Sequence, residues 1–169
     1  MPAVLPRLRL LALVALVVPV VAFGQAWPTK PVRLVSPFPA GGGTDAFARP
    51  LAAQLSQQLG QQFIIDNRGG AGGTIGADNV AKSPPDGYHF LVGAVHHTIA
   101  VSVYSKLPYD LERDLVPVTM VAVVPNVIVL HPKVPIGSVK ELIDYAKAHP
   151  GKLNFASAGN GTSHQLAAE

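Results

Sequence analysis

Two periodicities share this chain, and the places where one gives way to the other mark its elements. Residues 32 to 36, VRLVS, form a short apolar, β-branched run that predicts a buried strand. After a glycine-rich break, Phe47, Leu51, Leu55 and Leu59 recur every four residues, with Ala48 and Ala52 beside them. That spacing predicts a helix with one apolar face. Pro50 falls inside the pattern, and because it lacks an N–H and crowds the preceding turn, a kink or a loose first turn is expected there. QFIID (62–66) predicts a second strand, NRGGAGG (67–73) its loop, and TIGADNVAKS a short helix that ends at Pro84-Pro85. YHFLVGAV (88–95) predicts a third strand.

The second half repeats the theme. HHTIAVSVYSKLPYD reads as a short helix and a loop, and residues 116 to 132 as two extended β-branched runs broken by Pro125-Asn126. Ser138 and Glu141 have the S-x-x-E spacing of a capping box ahead of the helix VKELIDYAKAH. Pro150-Gly151 stops that helix, KLNFASA (152–158) predicts another strand, and GNGTS leads into a last helix. Strand, glycine loop and helix therefore follow one another three times, which implies an α/β fold with a parallel sheet.

Composition changes this picture mainly at the start. Residues 1–26 carry Arg7 and Arg9, then the apolar run LLALVALVVPVVAF, then small residues, the order of a secretory signal peptide. A membrane anchor is the rival reading, but the run is shorter than the ~20 apolar residues of a spanning helix and Pro19 interrupts it. Cleavage after Gly24 or after Ala26 both fit, and Ala26 is preferred. The chain has no cysteine, so neither a disulfide framework nor a lipid-modified cysteine is expected. Its formal charge of +3 falls to about +1 without the two leader arginines, and no basic cluster with interleaved aromatics is present, so nucleic acid is not an expected partner. The ending, TSHQLAAE, starts a helix without a closing signal, which suggests a truncated chain.

In a parallel α/β sheet the loops at the carboxyl ends of the strands share one crevice. Three candidates would line it: 37–45, 67–73 and 158–163. Helix N-termini offer unpaired N–H groups, and glycines let a ligand approach the backbone, so an anion is favoured. The bland reading is that these are tight turns whose Thr and Asp residues cap helices. Phosphate fits poorly: no G-x-x-x-x-G-K-[ST] is present, GGAGGTIG does not complete G-x-G-x-x-G, and the first loop has no Lys or Arg. A carboxylate suits two or three backbone and hydroxyl donors better. Asp45 reads either as a helix cap or as a contact to a cationic or hydroxyl group of the ligand; Arg68 reads as a ligand contact or an exposed ion pair.

Catalytic patterns are weak. FASAG (155–159) lacks the first glycine of G-x-S-x-G, and Ser163-His164 are only chain neighbours. His96-His97 resembles a metal pair, but adjacent side chains are expected to diverge, and His97 is better read as a pocket wall.

WPTKPVRLVSPFPAGGGTD, DNRGGAGGTIGADNVAKSPPDGY, LPYDLERDLVPV and LNFASAGNGTSHQLAAE together resemble the substrate-binding proteins of tripartite tricarboxylate transporters, the TctC or Bug family. The resemblance runs from Trp27 to Glu169. It implies a two-lobe periplasmic-binding-protein fold of the type II, Venus flytrap kind, with lobe one over 27–129 and the beginning of lobe two over 130–169. It implies a monomeric, periplasmic receptor that closes on a di- or tricarboxylate, an amino acid or an aromatic acid, passes it to membrane permease subunits, and uses no metal and no cofactor. The family's first ligand loop matches Phe38, Ala40, Gly41, Gly42, Thr44 and Asp45, and its lobe-two loop matches Ser157, Gly159, Gly161, Thr162 and Ser163. Gly72 and His97 transfer as wall contacts, whereas Asn160 and Pro50 carry no family role. The alternatives are an α/β hydrolase or transferase using Ser163 and His164, a nucleotide-binding module, and a fragment that binds nothing.

Overall fold

The computed structural model describes residues 26 to 169; the expected signal peptide lies outside the described residues, apart from Ala26. Three parallel strands form one sheet in the order β2–β1–β3: β1 is Val32–Ser36, β2 is Phe63–Asn67 and β3 is His89–Leu91. Val32 stands opposite Phe63 and Ser36 opposite Asn67 on one side, while Arg33 stands opposite His89 on the other. The central strand is the β-branched run, and Val32 and Val35 are fully buried, as a strand flanked on both sides requires.

Helix α1, Gly43–Leu59, packs on β1 and β2. Of the expected apolar face, Ala48 and Ala52 with the half-buried Leu55 form the inner side, while Phe47 and Leu59 at the two ends of the four-residue row lie exposed. Small residues let the helix approach the sheet closely, and Val32, Leu34, Ala52 and Phe63 make the core they close over. Burying Val32 in this cluster stabilises the fold by about 1.5–3 kcal/mol. The helix runs on through Pro50, whose ring lies on the exposed side. It stops at Gly60, which takes the left-handed conformation and donates to the Ser56 carbonyl.

A single 3₁₀ turn, Ala71–Gly73, leads into α2, Thr74–Ala81, which packs on β1 and β3. After β3 come α3, His96–Val103; α4, Val139–Ala148; and α5, Ser163–Ala168. The expected capping box before α4 forms in a shifted version: Ser138 Oγ accepts from the Glu141 amide at 3.2 Å, while Glu141 Oε2 reaches one residue past the cap and accepts from the Gly137 amide at 2.8 Å.

At the amino ends of the strands the chain closes on itself. Trp27 packs among Phe63, Tyr88 and Phe90, and its Nε1 donates to the Gly87 carbonyl at 3.2 Å. Lys30 pairs with Asp86 at 3.0 Å and lies over the Tyr88 ring.

Two expected strand regions are corrected. Residues 116–131 and 152–157 belong to no strand among the described residues, because no neighbouring strand offers its backbone to them. A strand is defined by its partner, so β-branched composition alone cannot make one. Val116, Val118, Met120, Val123, Val127 and Val129 consequently lie exposed.

Candidate ligand-binding site

Strand order reverses between β1 and β3, since the chain leaves β1 for β2 and later returns to the other side. In parallel α/β sheets such a reversal is where the loops at the carboxyl ends of the strands part to leave a crevice. Two segments flank it: the Pro37–Gly42 loop after β1 and the start of α3 after β3. They meet through an edge-to-face contact between Phe38 and His96, with ring centroids 4.6 Å apart.

The first loop is built by α1. Gly42 caps the helix in extended conformation, and Gly41 takes φ +84°, a left-handed value that glycine adopts without strain. The amides of Gly43, Thr44 and Asp45 have no acceptor within the helix, as at any helix start. Ala40, Gly41 and Gly42 are exposed and Phe38 and Thr44 half-buried, so this face of the loop is open.

Asp45 points inward and is only 2 % exposed. Its Oδ2 accepts from the Gly41 amide at 2.8 Å and from Arg49 Nε and Nη2 at 2.9 and 2.8 Å; its Oδ1 accepts from Asn67 Nδ2 at 2.8 Å. Asn67 Nδ2 also donates to the Phe38 carbonyl at 3.0 Å. The Asn67 amide, the Gly41 N–H and Arg49 hold the Asp45 carboxyl down at about 2. Sequence reasoning placed Asn67 only at the head of the 67–73 loop and gave Arg49 no role, because one ends a strand and the other lies inside a helix. Arg68, at the head of the second loop, pairs with Asp66 at 3.0 Å.

The second loop touches the first and the third. Pro39 packs against Gly69, and Pro37 against Gly73 and Gly76. A Cβ at Gly73 would stand 2.7 Å from His96 Nε2, so this loop and α3 are pressed together. Gly72 faces the Asn160 carbonyl, and Gly159 lies over Gly72. The Tyr104 hydroxyl donates to that same Asn160 carbonyl. Asn160 thus contributes through its backbone, which explains why its side-chain identity carried no signal.

In the third loop, Gly161 and Thr162 are buried, Gly159 and Ser163 half-buried, and Ser157 exposed. Thr162 Oγ1 donates to the Gly159 carbonyl at 2.7 Å and accepts from the Gln165 amide at 3.3 Å, while Gln165 Oε1 accepts from the Gly161 amide at 2.7 Å. This reciprocal pair shapes the start of α5. The 69–73 loop thus bridges the first and third loops, with Gly72 at its centre.

His96 and His97 are 4 % and 3 % exposed, and their rings lie 3.9 Å apart instead of diverging. Burial pushes His96 down to about 4; burial and the neighbouring His96 push His97 down to about 3. Both imidazoles are therefore neutral at pH 7, and His96 Nε2 and both His97 nitrogens have no hydrogen-bond partner. Among the described residues, no three His, Cys, Asp or Glu side chains gather as a metal site, and no helix is long and apolar enough to cross a membrane. A separate cleft of about 730 Å³ lies beside α3, lined by Thr98, Tyr104, Leu107 and Tyr109 among others; none of the glycine loops lines it.

The family model described as "Tripartite tricarboxylate transporter family receptor" matches residues 47–169. The chain belongs to this receptor family. BugT of Bordetella pertussis is 43% identical over 147 residues, covering 86% of this chain and 45% of BugT. A Pseudomonas protein encoded between tcbD and tcbE is 43% identical over 143 residues, covering 85% of this chain and 43% of its own length. The chain therefore spans less than half the length of these curated relatives. Among solved structures, an R. palustris protein with adipate superposes with a TM-score of 0.77 at 41% identity, over 84% of this chain and 48% of that one. A Rhodopseudomonas palustris protein with bound malate gives 0.70 at 34% identity, over 81% and 47%. The periplasmic binding protein BugD gives 0.69 at 32% identity, over 84% and 48%. The fold is the α/β fold of these binding proteins, represented here over about half of their length. This receptor family is one of binding proteins rather than enzymes.

Proposed function

We propose that this chain is the carboxylate-gripping part of an exported periplasmic receptor that captures a small carboxylate and delivers it to tripartite-transporter permease subunits. The observation that carries the reading is the convergence of three glycine loops at the carboxyl side of the sheet, in a chain of this receptor family. One carboxylate charge is matched by the amides of Gly43 and Thr44, the Thr44 hydroxyl and the start of α5 at Ser163. Phe38, Gly72 and His97 form the wall. Residues 27–129 act as the first lobe and 130–169 as the opening of the second, and ligand shifts the population between open and closed arrangements by its greater affinity for the closed one. The adipate and malate in the related structures support a dicarboxylate, with amino acids and aromatic acids as the other candidates. The receptor works as a monomer.

The hydrolase reading finds no support. His164 is exposed, and no hydrogen bond joins it to Ser163.

Isothermal calorimetry of the chain with adipate, malate, citrate, aspartate and benzoate tests the proposal. Saturable heat with at least one carboxylate is expected; silence with all of them would overturn it. An ester-turnover assay with a Ser163→Ala control, expected to give no serine-dependent rate, separates receptor from hydrolase.

A further inference from the structure

Asp45 poses a problem for an anion site. Its carboxylate sits in the first turn of the helix whose N-terminus opens on the crevice, and it stays ionised far into acid. A free negative charge there would repel a carboxylate ligand through a poorly screened medium.

The geometry around it removes the problem. Four donor groups take up both oxygens: the Gly41 amide, Arg49 Nε and Nη2, and Asn67 Nδ2, all between 2.8 and 2.9 Å. Asn67 Oδ1 in turn accepts from Arg49 Nη2 at 3.2 Å, and Asn67 Nδ2 reaches the Phe38 carbonyl at 3.0 Å. The result is a closed ring in which helix α1, strand β2 and both ends of the Phe38–Gly41 segment are tied to one carboxylate. Arg49 is the charge acting on Asp45; on β2, Asp66 is already engaged by Arg33 and Arg68. Every Asp45 side-chain bond goes to the loop itself, to α1 or to the end of β2.

We infer that Arg49 and Asn67 are positioning residues of the anion site, making Asp45 a neutralised strut of the Phe38–Gly42 loop and not a contact to the ligand. This inference rests on the carboxylate-receptor reading for its purpose, but not for its geometry. The ring fixes the Phe38 carbonyl and the Gly41 amide in place, holding the helix start, where the Gly43 and Thr44 amides have no intrahelical acceptor, in one arrangement before any ligand arrives. Such preorganisation spares the cost of ordering the loop at the moment of binding.

Two measurements on the whole chain test it. Titration of the Asp45 carboxyl carbon by NMR is independent of ligand. Arg49→Met and Asn67→Ala should each move its midpoint upward from about 2, and the Gly41 amide should exchange with solvent about tenfold faster, while the β1 amides keep their protection. Arg49→Lys should restore the midpoint in part and serves where Arg49→Met does not fold. Calorimetry with adipate reads the consequence. In Arg49→Met the affinity should fall about tenfold at pH 7, the size of one lost charge-assisted bond, and combining it with Asp45→Asn should recover most of that loss at the same pH. The sign follows from charge: a neutral amide at position 45 does not repel the ligand. A purely structural defect would leave the double variant as weak as Arg49→Met. An unchanged Asp45 midpoint in both single variants, or a loss of affinity that Asp45→Asn does not recover, would overturn the inference. No heat from the unaltered chain with any carboxylate would instead overturn the receptor reading, and the NMR titration would still decide whether Asp45 is a strut.

Discussion

Tyr104 and Asn160 lie 56 residues apart in the chain, yet the Tyr104 hydroxyl donates to the Asn160 carbonyl at 3.2 Å. This bond fastens the loop before α5 to the end of α3. Tyr104→Phe keeps the ring and removes the donor, so urea denaturation should report a loss of about 1 kcal/mol. The amides of Gly161 and Thr162 should exchange faster, while those of β1 and β2 do not change.

Gly73 is the tightest point between the second loop and α3. It has φ +93°, and an added Cβ would meet His96 Nε2 at 2.7 Å. Gly73→Ala combines a disfavoured backbone with a clash against a buried ring. It should lower stability by roughly 2–4 kcal/mol, read as a fall in melting temperature.

His96 and His97 predict how stability depends on pH. Their folded values, about 4 and about 3, lie below the ordinary 6.5, so between these values the unfolded chain binds more protons than the folded one. Stability should therefore fall as the pH drops from about 6.5 toward 4, each imidazole adding up to about 1.4 kcal/mol per pH unit. Asp45, also depressed, contributes stability that is lost only below about 4. Urea midpoints at pH 7 and pH 5 check the window. His97→Gln should flatten the slope there by about half, even if it shifts the absolute midpoint.

The exposed run from Val116 to Val129 should govern solubility. Nine of its residues are large apolar side chains at 48 % exposure or more. A surface of this kind drives self-association and binds hydrophobic dyes. Val118→Lys together with Val123→Lys should reduce dye fluorescence and raise the concentration at which the chain scatters light, without moving the melting temperature.

The sequence revealed the βα alternation because its signals are local. VRLVS, the glycine breaks and the Ser138–Glu141 box each act within a few residues, and each appears in place. The inner face of α1 was legible in part: Ala48, Ala52 and Leu55 of the expected apolar face pack inward, whereas Phe47 and Leu59 at its two ends lie exposed. Residues 116–131 failed for a related reason, since β-branched composition states a preference and a strand needs a neighbour. At the site, the glycine loops were legible, for backbone freedom leaves a compositional trace. The ring of Arg49, Asn67 and Asp45 was not, because its members come from a helix and a strand and meet only in three dimensions. His96 was read only as half of a weak metal pair for the same reason: its contacts with Phe38 and Gly73 come from other segments.

The Trp27 clasp has a practical corollary. It anchors the described beginning of the polypeptide to the amino ends of the strands, whereas the glycine loops crown the carboxyl ends, about 17 Å away across five residues of β1. A linker, dye or sensor surface joined ahead of Trp27 would thus approach the molecule from the pole remote from its mouth. Immobilisation at that end leaves the ligand's route unobstructed, and a reporter meant to feel the ligand belongs elsewhere, near Ser157.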